Sequence, residues 1–534
     1  MNDLDRRDFV RIAGLAAATA MARPLDSLAQ QSVSPSDVDE LTVAELQEAL
    51  RGGRLTARML TERYLARIDA IDRHGPSLSS VIELNPDALD IADALDRERK
   101  AGRVRGPMHG IPLLIKDNID TGDRMATSAG SLALAGNVAA QDAHIVRRLR
   151  EAGAVLLGKT NLSEWANFRS THSTSGWSGR GGLTRNPYAL DRNCCGSSAG
   201  TGAAIAASLA AVGVGTETDG SVVCPSSACG LVGLKPTVGL LSRAGIIPIS
   251  HTQDTPGPMA RTVTDAAILL GAMTGIDSLD ATTASSRGHV QGDYTSFLDA
   301  NGLRGARIGV ARQYYGINER VDAMMKTAID TIRDLGAIIV DPAEIATNGK
   351  FGDSEFEVLL YEFKADLNAY LATAPAAVKS RTLADLIRFN EENHDRELQY
   401  FGQEIFLQAE KKGPLTSAAY RKALAANNRL SRAEGIDAVM KKHKLDALIA
   451  PTGGPVWMTD LVNGDHYTGG YSSASAVAGY PHITVPAGFD YGLPVGLSFF
   501  AGAWSEPALL KYAYAYEQAT KVRRAPQYRS GGAA

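Results

Sequence analysis

The stretch from residue 195 to residue 240 is built almost entirely of small side chains, and it constrains the fold more than any other part of the chain. It reads CGSSAGTGAAIAASLAAVGVGTETDGSVVCPSSACGLVGLKPTVGL. Glycine and other small residues allow neighbouring backbone segments to approach each other closely. The stretch therefore predicts a buried centre in which hydroxyl groups lie near one another.

Two hydroxyl sites stand out within this stretch, the pair Ser197-Ser198 and the single Ser221. Ser221 ends a run suited to a tight turn, whose members are Thr218, Asp219, Gly220 and Ser221. Such a turn can direct several backbone N–H groups at one point, where they stabilise an oxyanion. The pattern indicates a reactive serine beside an oxyanion hole.

A serine hydroxyl is a weak nucleophile and needs a base, for which Lys116 is the candidate. Residues 107–120 read PMHGIPLLIKDNID, so Lys116 follows an apolar run that is typical of a buried strand. Burial lowers the pKa of a lysine, and the neutral amine can accept a proton. The alternative is a lysine that reaches the surface from a strand end, and this stretch favours neither.

Several motifs together resemble the amidase signature family. They are the upstream Gly-Ile-Pro-x-x-x-Lys-Asp-Asn, the Gly-Ser-Ser run, the Gly-Thr-x-x-x-Gly-Ser run and the later Gly-Leu-Lys-Pro-Thr. ATSAGSLAL (126–134) and GKTNLSEWANFR (158–169) are similar to the bacterial peptide amidases of that family. The resemblance extends from about residue 40 to about residue 525.

The resemblance implies a Ser-cisSer-Lys triad in which Ser221 is acylated, Ser197 relays the proton and Lys116 is the base. It also implies substrate-binding residues, which are Thr218, Asp219, Gly220 and Ser198. The implied reaction is hydrolysis of the C-terminal amide of peptides, without a cofactor or metal. The implied fold is α/β, a central mixed twisted sheet covered by helices on both faces, with a helical insertion in the C-terminal half.

The turn departs from the family pattern Thr-Asp-x-Gly-Gly-Ser at two positions. Glu217 replaces the aspartate, and Asp219 replaces the first glycine. A carboxylate beside the reactive centre suggests two roles for Asp219. It selects an uncharged amide end over a free carboxylate by a hydrogen bond and by charge repulsion, or it braces the turn. The sequence leaves both roles open.

The order of helical and apolar segments supports the same fold class. Short apolar runs such as Val212 to Thr216 and Ala447 to Ile449 alternate with amphipathic segments such as Val321 to Leu335, as in α/β layer folds. Residues 354–443 are charged and poor in glycine, which predicts a helical insertion. This insertion is either a lid that shapes the substrate channel or a plain scaffold.

Residues 1–29 are predicted to be a twin-arginine export signal, and residues 30–534 a single amidase domain. Arg6-Arg7 precedes a run of small residues and a small-x-small cleavage pattern that ends at Ala29. We therefore expect a periplasmic or secreted protein. The formal net charge of −4 gives no basic surface for nucleic acid. No stretch is long enough to span a membrane, and we expect a monomer that binds a small-molecule or peptide amide.

The cysteines and the competing motifs complete the expectations. Cys194, Cys195, Cys224 and Cys229 are interpreted as buried small residues in preference to a disulfide. Gly196 to Gly200 matches G-x-S-x-G, but the polar segment before it is not the strand that a nucleophile elbow requires. The remaining alternatives are an amidase for another small or aryl amide, an amidotransferase-type subunit and an inactive periplasmic binding protein. The export signal opposes the amidotransferase, and the intact triad opposes the binding protein.

Overall fold

Short apolar runs of the chain pair as strands, and the longer amphipathic segments pack on them as helices. The computed structural model describes residues 38–531. Its strands are β1 Val81–Leu84, β2 Pro112–Lys116, β3 Val155–Thr160, β4 Trp177–Ser178, β5 Gly182–Leu183, β6 Val212–Glu217, β7 Val232–Lys235, β8 Thr255–Ala260, β9 Arg307–Val310, β10 Ile338–Val340, β11 Ala447–Pro451, β12 His482–Asp490 and β13 Leu493–Phe500.

Within residues 38–531, eleven strands form one sheet in the order β1-β3-β2-β6-β8-β7-β12-β13-β11-β9-β10. The sheet is mixed, because β2 is parallel to β3 and β6 whereas β6 is antiparallel to β8. Strands β4 and β5 form a separate hairpin. The predicted mixed α/β sheet is confirmed.

Helices flank this sheet. They are α1 Val43–Arg51, α2 Ala57–Arg67, α3 Ala88–Lys100, α4 His144–Glu151, α5 Ala199–Ala206, α6 Val223–Ala228, α7 Val263–Met273, α8 Glu319–Asp334, α9 Gly352–Ala372, α10 Leu383–Glu392, α11 His394–Glu397, α12 Glu404–Glu410, α13 Ala418–Asn428, α14 Asp437–His443, α15 Ser473–Ala478 and α16 Glu506–Thr520. All residues of α5 are buried, as small side chains permit.

The predicted helical insertion corresponds to the consecutive helices α9 to α14. Apolar side chains of the insertion form one hydrophobic cluster with residues from earlier parts of the chain. Phe363 of α9 packs edge-on against Phe168, with ring centroids 5.1 Å apart, and Trp165 belongs to the same cluster. The insertion is therefore packed against the main body through a shared core, which fixes the position of α9.

The topology brings two strand ends together at one edge of the sheet. Strands β2 and β6 are parallel neighbours, with Ile115 opposite Val214. Parallel strands end at the same edge, so Lys116 and Thr216 lie side by side there. The chain continues from β6 into the predicted turn and then into α6.

The predicted export signal, residues 1–29, lies outside the described residues, and the signal, the single-domain boundary and the cellular location stay predictions. In the part of the chain that the structure describes, no helix has both the length and the apolar character needed to cross a membrane. The monomeric state also stays a prediction.

Candidate active site

Ser197 lies in a tightly packed loop that leads into α5. The Gly196–Ser197 peptide bond is cis. Ser197 and Ser198 are fully buried. At Gly200 an added Cβ would lie only 2.3 Å from the carbonyl oxygen of Asn161, so the first turn of α5 requires a glycine there. The small residues of this stretch therefore allow the serine pair to lie against the ends of β2 and β6.

Lys116 reaches this serine pair from the end of β2. Its Nζ lies 2.7 Å from Ser197 Oγ, 2.9 Å from Thr216 Oγ1 and 3.2 Å from the Thr216 carbonyl oxygen. A neutral amine has two N–H groups and one lone pair, so it can donate to Thr216 and accept from the Ser197 hydroxyl. The partners of the amine are thus compatible with its unprotonated form.

Burial sets the protonation of Lys116. The side chain is fully buried, and the loss of hydration lowers its pKa to about 7, against the opposing charges of Asp254 and Glu217. The structure places Lys116 inside the protein, which settles the choice between a buried and a surface lysine. At neutral pH a substantial fraction of this amine is free to accept a proton.

Ser221 lies on the turn between β6 and α6. Gly220 has φ +79°, a left-handed conformation that favours glycine. Within residues 38–531 no hydrogen bond engages the Ser221 hydroxyl, whose residue is 7% exposed. The Ser221 carbonyl accepts a hydrogen bond of 3.2 Å from the Ser198 amide, which joins the turn to the serine pair. Lys116 is thus hydrogen-bonded to Ser197, and Ser221 lies on the turn that is hydrogen-bonded to the neighbouring Ser198.

The Ser198 hydroxyl is engaged with the backbone of β6. It donates to the Thr216 carbonyl oxygen at 3.1 Å and accepts from the Thr216 amide at 3.2 Å. These bonds attach the serine pair to the strand that carries the turn. The Ser198 hydroxyl thus already has two protein partners. The substrate-binding role expected for Ser198 stays a prediction.

Side chains of the turn are held from outside it. The Thr218 hydroxyl donates to Asp254 Oδ1 at 2.6 Å, and the Ser473 hydroxyl donates to Asp219 Oδ2 at 2.6 Å. Glu217 Oε2 accepts from the amides of Val222 and Val223, at 2.8 and 3.1 Å. The turn is therefore fixed before any substrate arrives, which is the condition for effective oxyanion stabilisation.

The sequence favours buried small residues over a disulfide but leaves the choice open, and the structure shows a disulfide for one pair. Cys195 and Cys224 are bonded, with Cα atoms 5.9 Å apart. Cys195 precedes the serine pair and Cys224 follows the turn, so the bond links the two reactive segments. Their distance in the sequence hides this contact, which depends on how α5 and α6 pack. Cys194 and Cys229 are free and buried, as expected.

One acidic and histidine cluster has the proximity that a metal would need. Among the described residues it consists of His251, Glu362 and Asp366. Both ring nitrogens of His251 face a carboxylate oxygen, at 2.8 Å for Asp366 and 3.3 Å for Glu362. Burial would lower the pKa of His251, but the hydrogen bond to Asp366 and the charge of Glu362 raise it. The group fits an imidazolium that bridges two acids.

A cavity of about 210 Å³ lies beside the ends of β2 and β6. Asn118, Thr216 and Thr218 form part of its wall, together with the apolar side chains of Ile247 and Leu279. The cavity adjoins Thr216, the partner of Lys116, and it offers both polar and apolar surface to a ligand.

Sequence reasoning missed two partners of the reactive groups. Thr216 contacts the amine directly, and Asp254 fixes Thr218. Thr216 is the threonine of the Gly-Thr-x-x-x-Gly-Ser run. Its place at the end of a predicted strand was the available signal. Asp254 lies in a separate loop, and only the folded chain shows its contact.

Known proteins are similar to this chain along almost its whole length. A family model described as amidase matches residues 59–510. A probable amidase of Arabidopsis thaliana is 42% identical over 527 residues, which cover 96% of this chain and 97% of that protein.

Among solved structures, the native peptide amidase from Stenotrophomonas maltophilia is 52% identical, with a TM-score of 0.87, and the match covers 92% of this chain and 99% of that one. A peptide amidase in complex with the competitive inhibitor chymostatin gives 53% identity and a TM-score of 0.88 with the same coverage. The chain therefore belongs to the amidase signature family and is an amide-hydrolysing enzyme.

Proposed function

We propose that this protein hydrolyses the C-terminal amide of peptides through Lys116, Ser197 and Ser221. The observation that carries the proposal is the 2.7 Å contact between the buried amine of Lys116 and the hydroxyl of Ser197. The similarity to peptide amidases supports a peptide substrate, since both solved structures described above are of proteins named peptide amidase.

In this mechanism the neutral Lys116 amine takes the proton of Ser197, which in turn takes the proton of Ser221. The Ser221 oxygen attacks the amide carbonyl carbon and forms a tetrahedral intermediate. The backbone N–H groups of residues 218–221 hold its oxyanion. The proton returns through Ser197 to the leaving nitrogen, the C–N bond breaks, and ammonia departs.

The second half of the reaction regenerates the enzyme. Water attacks the ester between Ser221 and the peptide, and it loses its proton along the same relay to Lys116. The ester bond breaks, Ser221 recovers its proton, and the peptide leaves with a free carboxylate. The lysine must be neutral at the start of each half-reaction, so its low pKa serves both.

The test is ammonia release from a panel of amides by the wild-type enzyme and by Ser221→Ala. We expect release from peptide amides, and a loss of about 10⁴-fold or more in kcat for the variant, as for other serine triads. Ser198→Ala is the matched control, since it removes the neighbouring hydroxyl and should cost far less. A preference for small or aryl amides would show that the substrate is not a peptide amide. An active Ser221→Ala would refute the proposed triad.

A further inference from the structure

The side chain of Asp219 has one oxygen without a hydrogen-bond donor. Oδ2 accepts from the Ser473 hydroxyl at 2.6 Å. Oδ1 is buried, and no N–H or hydroxyl group of the described residues donates to it. An unsatisfied buried carboxylate oxygen is costly. A proton on a neighbouring acid would supply the missing donor.

Glu355 is that neighbouring acid. It lies in the first turn of α9, it is 8% exposed, and its carboxyl is within hydrogen-bonding reach of the Asp219 carboxyl. Two ionised carboxylates are both acceptors and cannot form a hydrogen bond. Burial raises the pKa of Glu355 well above its ordinary value, and the charge of Asp219 raises it further. The contact is therefore a carboxyl–carboxylate pair with one proton.

A third side chain connects this pair to the turn. The amide nitrogen Nε2 of Gln253 donates to Glu355 Oε1 at 3.0 Å and to the Thr218 carbonyl oxygen at 3.4 Å. Thr218 and Asp219 are both members of the turn that precedes Ser221. The helical insertion thus reaches the turn at two consecutive residues through a single glutamate.

We propose that Glu355 is a positioning residue that holds the turn of residues 218–221 in place by sharing one proton with Asp219. The inference rests on the proposed function, because it assigns the turn to the oxyanion. It takes the bracing role for Asp219, and it gives the helical insertion a part in the reaction through a residue that need not touch the substrate.

The shared proton makes the turn sensitive to alkaline pH. When that proton leaves the pair, two negative charges face each other across the contact. Repulsion then separates Asp219 from Glu355, and the backbone donors of the turn lose their alignment. We expect kcat to fall as the pH rises through the pKa of Glu355, which lies well above that of an ordinary glutamate.

Other titratable groups act on Asp219 from the surrounding elements, namely Glu217, Lys235, Tyr314, Tyr467 and Tyr471. Burial raises the pKa of each tyrosine, so these remain neutral across the working range. Burial lowers the pKa of Lys235 to about 8, so its ammonium is the competing cause of an alkaline change. Variants of Glu355 leave Lys235 in place and therefore separate the two.

The experiment compares the pH dependence of kcat for ammonia release in the wild-type enzyme and in Glu355→Gln. In the wild type we expect an alkaline decline that approaches about tenfold per pH unit. In Glu355→Gln, whose amide donates to Asp219 at every pH, that decline should disappear or move at least about one pH unit higher. The acid limb, which belongs to Lys116, should not move.

Two further variants separate positioning from general stability. Glu355→Ala removes the donor, and kcat should fall about tenfold or more with KM nearly unchanged, because the turn acts on the transition state. Glu357→Gln is the matched control, since Glu357 lies in the same helix and pairs with Lys412 at 2.6 Å. Its pH profile should follow that of the wild type.

An unchanged alkaline limb in Glu355→Gln would overturn the inference and would assign the decline to Lys235. Full kcat in Glu355→Ala would overturn it as well. Neither result affects the proposed function, which instead fails if the wild type releases no ammonia from peptide amides. Should another amide prove to be the substrate, the same profiles can be measured with that compound.

Discussion

Lys116 is the last residue of β2 and Lys159 is the next-to-last residue of the neighbouring parallel strand β3, and both are fully buried. In the register of β2 and β3, Lys116 lies opposite Thr160, and Lys159 lies opposite Ile115. Side chains alternate along a strand, so the two lysines leave the sheet on opposite faces. Lys116 meets the hydroxyl of Ser197, whereas Lys159 donates to the Ile119 carbonyl oxygen at 2.5 Å.

The charges around the two amines also differ. Burial lowers the pKa of Lys159. The charges of several nearby carboxylates act in the opposite direction, those of Asp117 and Asp120 most strongly. Lys116 is opposed by Asp254 and Glu217, and its pKa is about 7. Burial alone therefore does not make a lysine a base. What distinguishes Lys116 is a hydroxyl neighbour that can pass a proton onward.

Replacing each lysine by methionine gives the largest predicted contrast. Lys116→Met should lower kcat by about 10³-fold or more, because the relay loses its base. Lys159→Met should leave the kcat of the folded enzyme within about threefold. It should lower the free energy of unfolding by about 1–3 kcal/mol, because the hydrogen bonds of the amine to the Ile119 carbonyl oxygen and to the Thr127 hydroxyl are lost. Ammonia release and urea denaturation measure the two effects.

The contrast would collapse if the two variants exchanged their effects. A Lys159→Met enzyme that folds normally but has no activity would place a second lysine in the mechanism. An active Lys116→Met would remove the base from the account altogether.

The acid limb of the pH profile sharpens the comparison. A protonated lysine cannot accept a proton, so kcat/KM should rise with pH until the pKa of Lys116, about 7, is passed. Below that value the rate should fall by up to about tenfold per pH unit. Lys159→Met should show the same limb. A kcat/KM that does not change between about pH 5 and about pH 8 would contradict the assignment of this limb to Lys116.

The hydroxyl neighbours of the two amines provide a matched pair of milder substitutions. Thr216→Val removes the hydroxyl 2.9 Å from Lys116 Nζ, and Thr127→Val removes the hydroxyl 2.9 Å from Lys159 Nζ. One hydrogen bond contributes roughly 1 kcal/mol, so Thr216→Val should lower kcat/KM by about fivefold. Thr127→Val should leave kcat/KM unchanged. Equal effects of the two variants would erase the distinction.

The sequence predicts the strand that ends at Lys116, the small-residue helix after Ser197 and the turn before Ser221, because each depends on a local pattern. An apolar run, a stretch without large side chains and a glycine before a serine are readable in a single segment. The mixed sheet follows from the alternation of such segments, and the family resemblance supplies the roles of the residues.

The contacts between distant segments could not be read in this way. The Cys195–Cys224 bond joins two segments that meet only after α5 and α6 have packed. Lys159 follows an apolar run much as Lys116 does, so the local pattern does not tell the two lysines apart. Glu355 is one of many charged residues in a helical region, and nothing local distinguishes it from its neighbours. Such residues become visible only when the tertiary contacts are known.

The most direct test of the account is the pH dependence with which a sulfonyl fluoride modifies the enzyme, with the labelled residue located by peptide mass mapping. We expect the label on Ser221, at a rate that rises with pH through about 7 in the wild type. Lys159→Met should show the same rate profile, and Lys116→Met should show very slow labelling. A label on another residue, or a rate that Lys116→Met leaves unchanged, would contradict the claim that the buried amine of Lys116 activates Ser221.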